Sequence, residues 1–352
     1  MKNKFLIFIK TRSFMKNITK FILPFVVILL ILDYSGCWRL RGEKIRIGVS
    51  FADTNNVEIK QIIKGFSLAP DSIKKQSELF IVSANNDTAE QTRQIIDLID
   101  EKKIDILILN CVNELRAREF LNKIEKEDIP VVSILNIPLS RQVYGYLTPD
   151  YFLTAKYQSQ YVIDNTLGQG NVIILAGNSF SDMYTTLTYR NIDYLKKFPD
   201  INIVFQKFYN YPNEIEKDVD SILRVYNNNI KAIIANDDNI ILKAVEVLKK
   251  KKLEKKIITV GAGCTPEAVK SILNGELSMS VDLGYEDLGM QALTAAVDMM
   301  NLVALKDNGL KYKNDEQKVS WILSKVKSYN KKNIKYLFEQ GNKYSKSDFG
   351  LK

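Results

Sequence analysis

Aspartate and asparagine gather in this chain at the ends of apolar runs. Asp53, Asn55 and Asn56 follow "IRIGVSF", Asn136 follows "PVVSIL", Asn236, Asp237 and Asp238 follow "KAIIA", and Asp282 closes "LSMSV". Amide and carboxylate groups there can bridge neighbouring hydroxyls, since each offers adjacent donors or acceptors. They also serve as helix caps and turn formers, so each taken alone has an ordinary structural use. The groups needed for covalent chemistry are missing. The 352 residues contain no His, which excludes an imidazole base or ligand. There is no nucleophile elbow and no P-loop. "VGAGCTPEA" has a GxG after a strand but lacks the third glycine of a dinucleotide site. "GQG" at Gly168 to Gly170 precedes its strand and reads as a turn. The Asp237–Asp238 pair has no second pair to help it hold a cation. A polar binding site is expected, with no catalytic residues, cofactor or metal.

The elements that must position these groups alternate from Lys44 onward. Short β-branched runs, "IRIGVSF", "LFIVSA", "IDILILN", "PVVSIL", "NVIILAG", "NIVFQKF", "KAIIAN", "KIITVGA" and "LSMSVDL", read as strands. Between them "TAEQTRQIIDLIDEKK", "ELRAREFLNKIEKED" and "NIILKAVEVLKKKKLEKK" repeat apolar residues three and four apart, as helices do. Such alternation gives parallel sheets with right-handed crossovers, an α/β architecture. Ligands of such sheets bind beyond the carboxyl ends of the strands, where helix N-termini also point.

A Pro-punctuated connector, "IPLSRQVYGYLTPD", divides the pattern in two. Two α/β lobes are expected: a first over 44–140, joined by a return over about 286–318, and a second over 145–282. "MQALTAAVDMMNLVAL" would cover the first lobe. Residues 319–352 would supply a final crossing strand, "KVSWILSKV", a last short helix, "NIKYLFEQ", and a Lys-rich tail. More than one crossing between lobes makes a hinge.

The formal charge of +9 is unevenly placed. Residues 1–36 carry +5 and residues 311–352 carry +7, which leaves −3 for the body between them. A nucleic-acid binder would carry positive charge on its folded body, so that partner is not expected. A repressor of related lobes would need an N-terminal helix-turn-helix, and residues 1–43 carry an apolar segment instead.

"FILPFVVILLIL", residues 21–32, is shorter than the roughly 20 residues of a membrane span and suits a signal-peptide core. A translation start at Met15 would give a compact basic leader. Ser35 and Gly36 before Cys37 resemble a bacterial lipobox, with Tyr34 where Leu is usual. Residues 1–36 then read as a signal peptide, Cys37 as the lipid attachment point and 37–43 as a tether. An uncleaved anchor with an incidental Cys is the alternative. Both place the body in the periplasm or at the cell surface, with basic residues left inside. Cys111 and Cys264 could pair only if their backbones came within about 7 Å, and two separate thiols is the simpler reading.

With these features together, the chain resembles the type I periplasmic solute-binding proteins, in particular the galactose/glucose-binding protein of sugar ABC transporters. The resemblance covers most of residues 44–340. It rests on "RIGVSF", "KIDILILN", "IPVVSILNIPLSR", "AIIANDD" with "KAVEVL", "VGAGCTPEAVKSILNGEL" and "KVSWILSKV" with "NKKNIKYLF". It implies a two-lobed fold, each lobe a parallel sheet flanked by helices, joined by a multi-strand hinge. It also implies capture of a small polar ligand, a sugar or sugar-like molecule, for an ABC permease by hinge closure. A ligand-sensing subunit for a chemoreceptor or kinase is the alternative.

Among site residues, the resemblance assigns Asn136 to a sugar-binding Asn and Tyr211 to a stacking aromatic. Asn56 falls where the family has an Asp, Asp237 where it has an Asn, and Arg190 nearest to a ligand Arg. Asn236 and Asp53 complete the expected set. Three positions depart from the pattern. Glu58 stands in place of a stacking Phe, Gly263 in place of a ligand Asp, and Leu283 in place of a ligand Asn or Gln. No acid-rich calcium loop is visible in "DNTLGQGN". The fold is kept and the site rewritten, so an ordinary glucose site is not expected.

Overall fold

A computed structural model describes residues 43–179, 181–210, 212–339 and 343–350. The leader, Cys37 and Tyr211 lie outside the described residues. Residues 45–352 form one compact unit.

The chain begins with β1 (Ile45–Phe51), α1 (Val57–Ser67), α2 (Asp71–Gln76), β2 (Ser77–Ser83) and α3 (Thr88–Asp100). It continues through β3 (Ile106–Leu109), α4 (Arg118–Lys126), β4 (Val131–Ile134) and β5 (Val143–Pro149). Next come α5 (Tyr151–Thr166), β6 (Gly170–Ala176), α6 (Asp182–Leu195), β7 (Ile201–Phe208), α7 (Ile215–Val225) and β8 (Ala232–Ala235). They are followed by α8 (Asp238–Lys250), β9 (Ile258–Ala262), α9 (Pro266–Asn274) and β10 (Met279–Asp282). Last are α10 (Tyr285–Met300), β11 (Lys311–Asn314), β12 (Gln317–Ser324) and β13 (Lys327–Asn330).

The strands form two sheets. The first has seven, in the order β11-β12-β5-β4-β3-β1-β2, and the second has six, in the order β13-β10-β9-β8-β6-β7. Pairing is parallel except at β11–β12 and β10–β13. The chain therefore passes between sheets after β5, after β10 and after β12. These passages are the hinge of a two-lobed type I periplasmic-binding fold. The apolar runs became strands for a simple reason. "ILIL" of β3, "VVSI" of β4 and "AIIA" of β8 are buried along their whole length, as central parallel strands between helical layers must be.

The stretch read from sequence as a connector supplies β5 itself, so the first crossing falls after Pro149. Gly145 within it and Pro149 at its end masked the strand signal. α10 returns to the first lobe and packs on α1 and on β3, β5 and β12. Two glycines allow the two helices to touch. A Cβ on Gly65 would lie 2.1 Å from the Glu286 carbonyl oxygen, and one on Gly289 would lie 2.0 Å from that of Ile62. "NIKYLFEQ" forms a 3-10 turn over Ile334–Phe338, whose Ile334 and Leu337 join the core of the second lobe. Cys111 and Cys264 are buried, separate thiols.

Candidate functional site

A cavity of about 1270 Å³ opens among side chains from both lobes and from two of the crossings. The first lobe contributes Glu58, the loop Val112 to Leu115, and Leu135 to Ile137. The second contributes Asn178, Ser181, Met183 and Tyr184. Tyr151 and Tyr285 stand where the chain has just crossed. The cavity extends sideways along α4 and the β11–β12 turn, where the exposed Arg118 and Lys313 lie.

The inner groups share one structural origin. Glu58 lies in the first turn of α1, Tyr151 opens α5, Tyr184 lies in the first turn of α6, and Tyr285 opens α10. Cα–Cβ bonds tilt toward a helix N-terminus, so first-turn side chains project past the helix start. In these sheets the helix starts follow the carboxyl ends of the strands, and that projection carries the side chains into the cleft.

Tyr184 donates its hydroxyl hydrogen to the Asp237 carboxylate, and burial pushes its phenol well above the usual range. Tyr285 is 8% exposed, and its phenol is raised chiefly by burial, with Tyr151, Glu58, Tyr184 and Asp237 adding to the effect. The Tyr285 hydroxyl faces Met183 Sδ at 4.0 Å. Asp237 is pushed up to about 6, first by burial and then by the nearby Glu58, against the backbone hydrogen bond from Asn239. Two carboxylates and three phenols thus share a small volume.

The expected site residues are dispersed. Asn136 lines the cleft, but its amide is largely committed. Its Oδ1 accepts from Cys111 N at 2.9 Å and Asn110 Nδ2 at 3.2 Å, and its Nδ2 donates to Cys111 O at 2.8 Å. One Nδ2 hydrogen remains for a ligand. Asp237 caps α8, accepting from Asn239 N at 2.7 Å and from the Tyr184 hydroxyl, with the Glu58 charge near enough to act on it.

Neither Asp237 nor the remaining expected residues among those described reach the cavity wall. Asn236 is fully buried and clamps α6, donating to Tyr184 O at 2.8 Å and Thr188 Oγ1 at 2.6 Å. Asp53 ties two loops, accepting from Asn55 N and Asn86 Nδ2, each at 2.9 Å. Asn56 is exposed at the N-cap of α1 and makes no side-chain cap bond. Arg190 sits 4.4 Å above the Phe152 ring and 3.7 Å from Asp193, on the outer surface of α6.

Gly263, where the family resemblance puts an acid, has a backbone φ of 127° that disfavours any side chain. Lys343 of the tail occupies its neighbourhood, donating to Gly263 O at 2.9 Å and Asp282 Oδ1 at 3.0 Å. Tyr344 follows by donating to Cys264 O at 2.9 Å. This part of the Lys-rich tail is therefore packed structure. Sequence reasoning noticed Glu58 only as a departure and missed Tyr151, Tyr184 and Tyr285. The available signal was an aromatic residue one to three positions after a cap.

A family model described as "Periplasmic binding protein domain" matches residues 47–302. The D-xylose-binding periplasmic protein of Escherichia coli (strain K12) is 23% identical over 225 residues, covering 62% of this chain and 67% of that protein. Ribose import binding protein RbsB of Bacillus subtilis (strain 168) is 24% identical over 262 residues, covering 74% and 83%. Among solved structures, a periplasmic ribose ABC transporter protein from Conexibacter woesei DSM 14684 superposes with a TM-score of 0.73 at 15% identity, covering 85% of this chain and 96% of that one. A solute-binding protein from Bacillus halodurans C-125 with bound myo-inositol gives 0.68 at 18% identity, covering 84% and 97%.

Proposed function

The chain belongs to the periplasmic binding protein domain family, and we propose that it captures a small polyhydroxylated solute between its lobes for an ABC permease. The family consists of solute-binding proteins rather than enzymes, and its setting is extracytoplasmic. The observation that carries the proposal is the cavity of about 1270 Å³ lined from both lobes by Glu58, Asn136, Asn178, Ser181 and three tyrosines. Carboxylate, amide and hydroxyl groups suit neighbouring sugar hydroxyls, and phenol faces suit the C–H face of a ring. Relatives named for xylose and ribose, and a similar fold holding myo-inositol, belong to the same ligand class. The three crossings let one lobe swing on the other, the hinge closure such folds use.

Attachment to the membrane through a lipid on Cys37 is part of the proposal. It is supported by Ser35 and Gly36 before that residue and the apolar run before them. Cys37→Ser would then release the protein into the soluble fraction.

The proposal is tested by a thermal-shift screen of the protein against pentoses, hexoses, inositols, nucleosides and amino acids. A ligand that binds only the folded state raises the melting temperature. A carbohydrate or inositol hit is expected. A hit confined to amino acids or nucleosides, or none at all, would overturn it.

A further inference from the structure

The polarity of the cleft separates this protein from one built for a neutral sugar. Glu58, on the first lobe and at the cavity wall, is close enough to raise Asp237 on the second, and both carboxylates act on the phenols of Tyr184 and Tyr285. No Lys or Arg is among the strongest electrostatic neighbours of Asp237, Tyr184 or Tyr285. Arg118 and Lys313 lie out along α4 and β11. Among the described residues, Glu58 has no hydrogen-bond or ion-pair partner, although it is half-buried. The helix N-termini of α1 and α8 supply about half a positive charge each, which leaves part of each carboxylate uncompensated. Closing the cleft on a neutral molecule would strip water from the Glu58 carboxylate with no cation set against it.

A second observation points to the same volume. Tyr285 is nine-tenths buried and lines the cleft, yet among the described residues its hydroxyl meets only the thioether of Met183 at 4.0 Å. A strong acceptor is missing there. Three tyrosine rings beside carboxylates form the kind of wall that attracts a cation to its ring faces.

We propose that the solute selected by this cleft carries a protonated amine on a polyhydroxylated frame, as an amino sugar or aminocyclitol does. The ammonium sits on the Glu58 carboxylate against the tyrosine faces, with Asp237 behind Tyr184. Ring oxygens and hydroxyls take the free hydrogens of Tyr285 and Asn136. The inference rests on the cleft being a polyol site, and the test separates the two ideas.

Calorimetric titration of the protein with matched pairs is the experiment: D-glucosamine, D-glucose and N-acetyl-D-glucosamine, then D-galactosamine and D-galactose, with D-ribose, D-xylose and myo-inositol as neutral references. At least one free amine binds tenfold or more tighter than its neutral parent and its acetylated form, and Glu58→Gln removes that preference. Tight binding of a neutral member with no gain for its amine overturns the inference and leaves the polyol site standing. A preference that survives Glu58→Gln also overturns it. Silence from every member overturns both.

Discussion

Asn136 is the best place to ask whether a cleft residue acts on ligand or on structure. Its side chain closes a two-way bond with the backbone of Cys111, a residue 2% exposed, accepting from the N–H at 2.9 Å and donating to the carbonyl at 2.8 Å. Through Asn110, whose Oδ1 accepts from Ala52 N at 3.2 Å, the brace reaches the loop after β1. Asn136→Ala strands one buried donor and one buried acceptor. A lost bond that leaves a buried group unpaired costs about 1–3 kcal/mol, and water entering from the cleft keeps each loss near the low end. A total of about 2–3 kcal/mol is expected, read as a lower urea midpoint with an unchanged slope. Asn136→Asp should be no better, since it sets a carboxylate oxygen against the Cys111 carbonyl. If Asn136→Ala unfolds within 0.5 kcal/mol of the parent while losing ligand affinity, the residue is a ligand contact and the brace argument is wrong.

Other outcomes follow from the same geometry. Asp238 is fully buried and its carboxyl is raised to about 7, chiefly by burial, so folding favours its protonated form. Its stabilising effect is complete below about pH 4 and is lost as pH rises toward 7, a change on the order of 4 kcal/mol. Asp238→Asn should remove that component from the stability–pH curve, and identical slopes for the two proteins would contradict it. Gly289→Ala drives a methyl into the Ile62 carbonyl and should cost about 3 kcal/mol or more in thermal or urea unfolding. Lys343→Met should expose the tail from residue 343 to limited proteolysis, because it removes the bonds to Gly263 O and Asp282 Oδ1. An unchanged cleavage rate would show that Tyr344 and its ring contacts hold the tail alone.

The two-sheet architecture was legible because buried parallel strands need continuous β-branched runs, and all nine that were read became strands. β5 escaped notice because Gly145 and Pro149 look like turn punctuation in a short parallel strand. The site was far less legible. Asp53, Asn236 and Asp237 sit at strand ends as expected, but loops and helix starts consume such groups first. Asp53 ties loops, Asn236 clamps α6 and Asp237 caps α8. The carboxylate and the three phenols at the inner cleft come from the next helical turn: Glu58, Tyr151, Tyr184 and Tyr285. The tilt of Cβ toward the helix start explains this, and composition at strand ends does not reveal it. Arg190 was misplaced by its position on the helix. It lies two turns into α6, beyond that projection, and turns outward onto Phe152.

The central claim is that one solute is held by both lobes at once. Small-angle X-ray scattering, without ligand and then saturated with the tightest binder from the calorimetric panel, tests this most directly. The account predicts a smaller radius of gyration on saturation, as the lobes close about the three crossings. An unchanged radius alongside saturable binding would place the solute outside the cleft and contradict it.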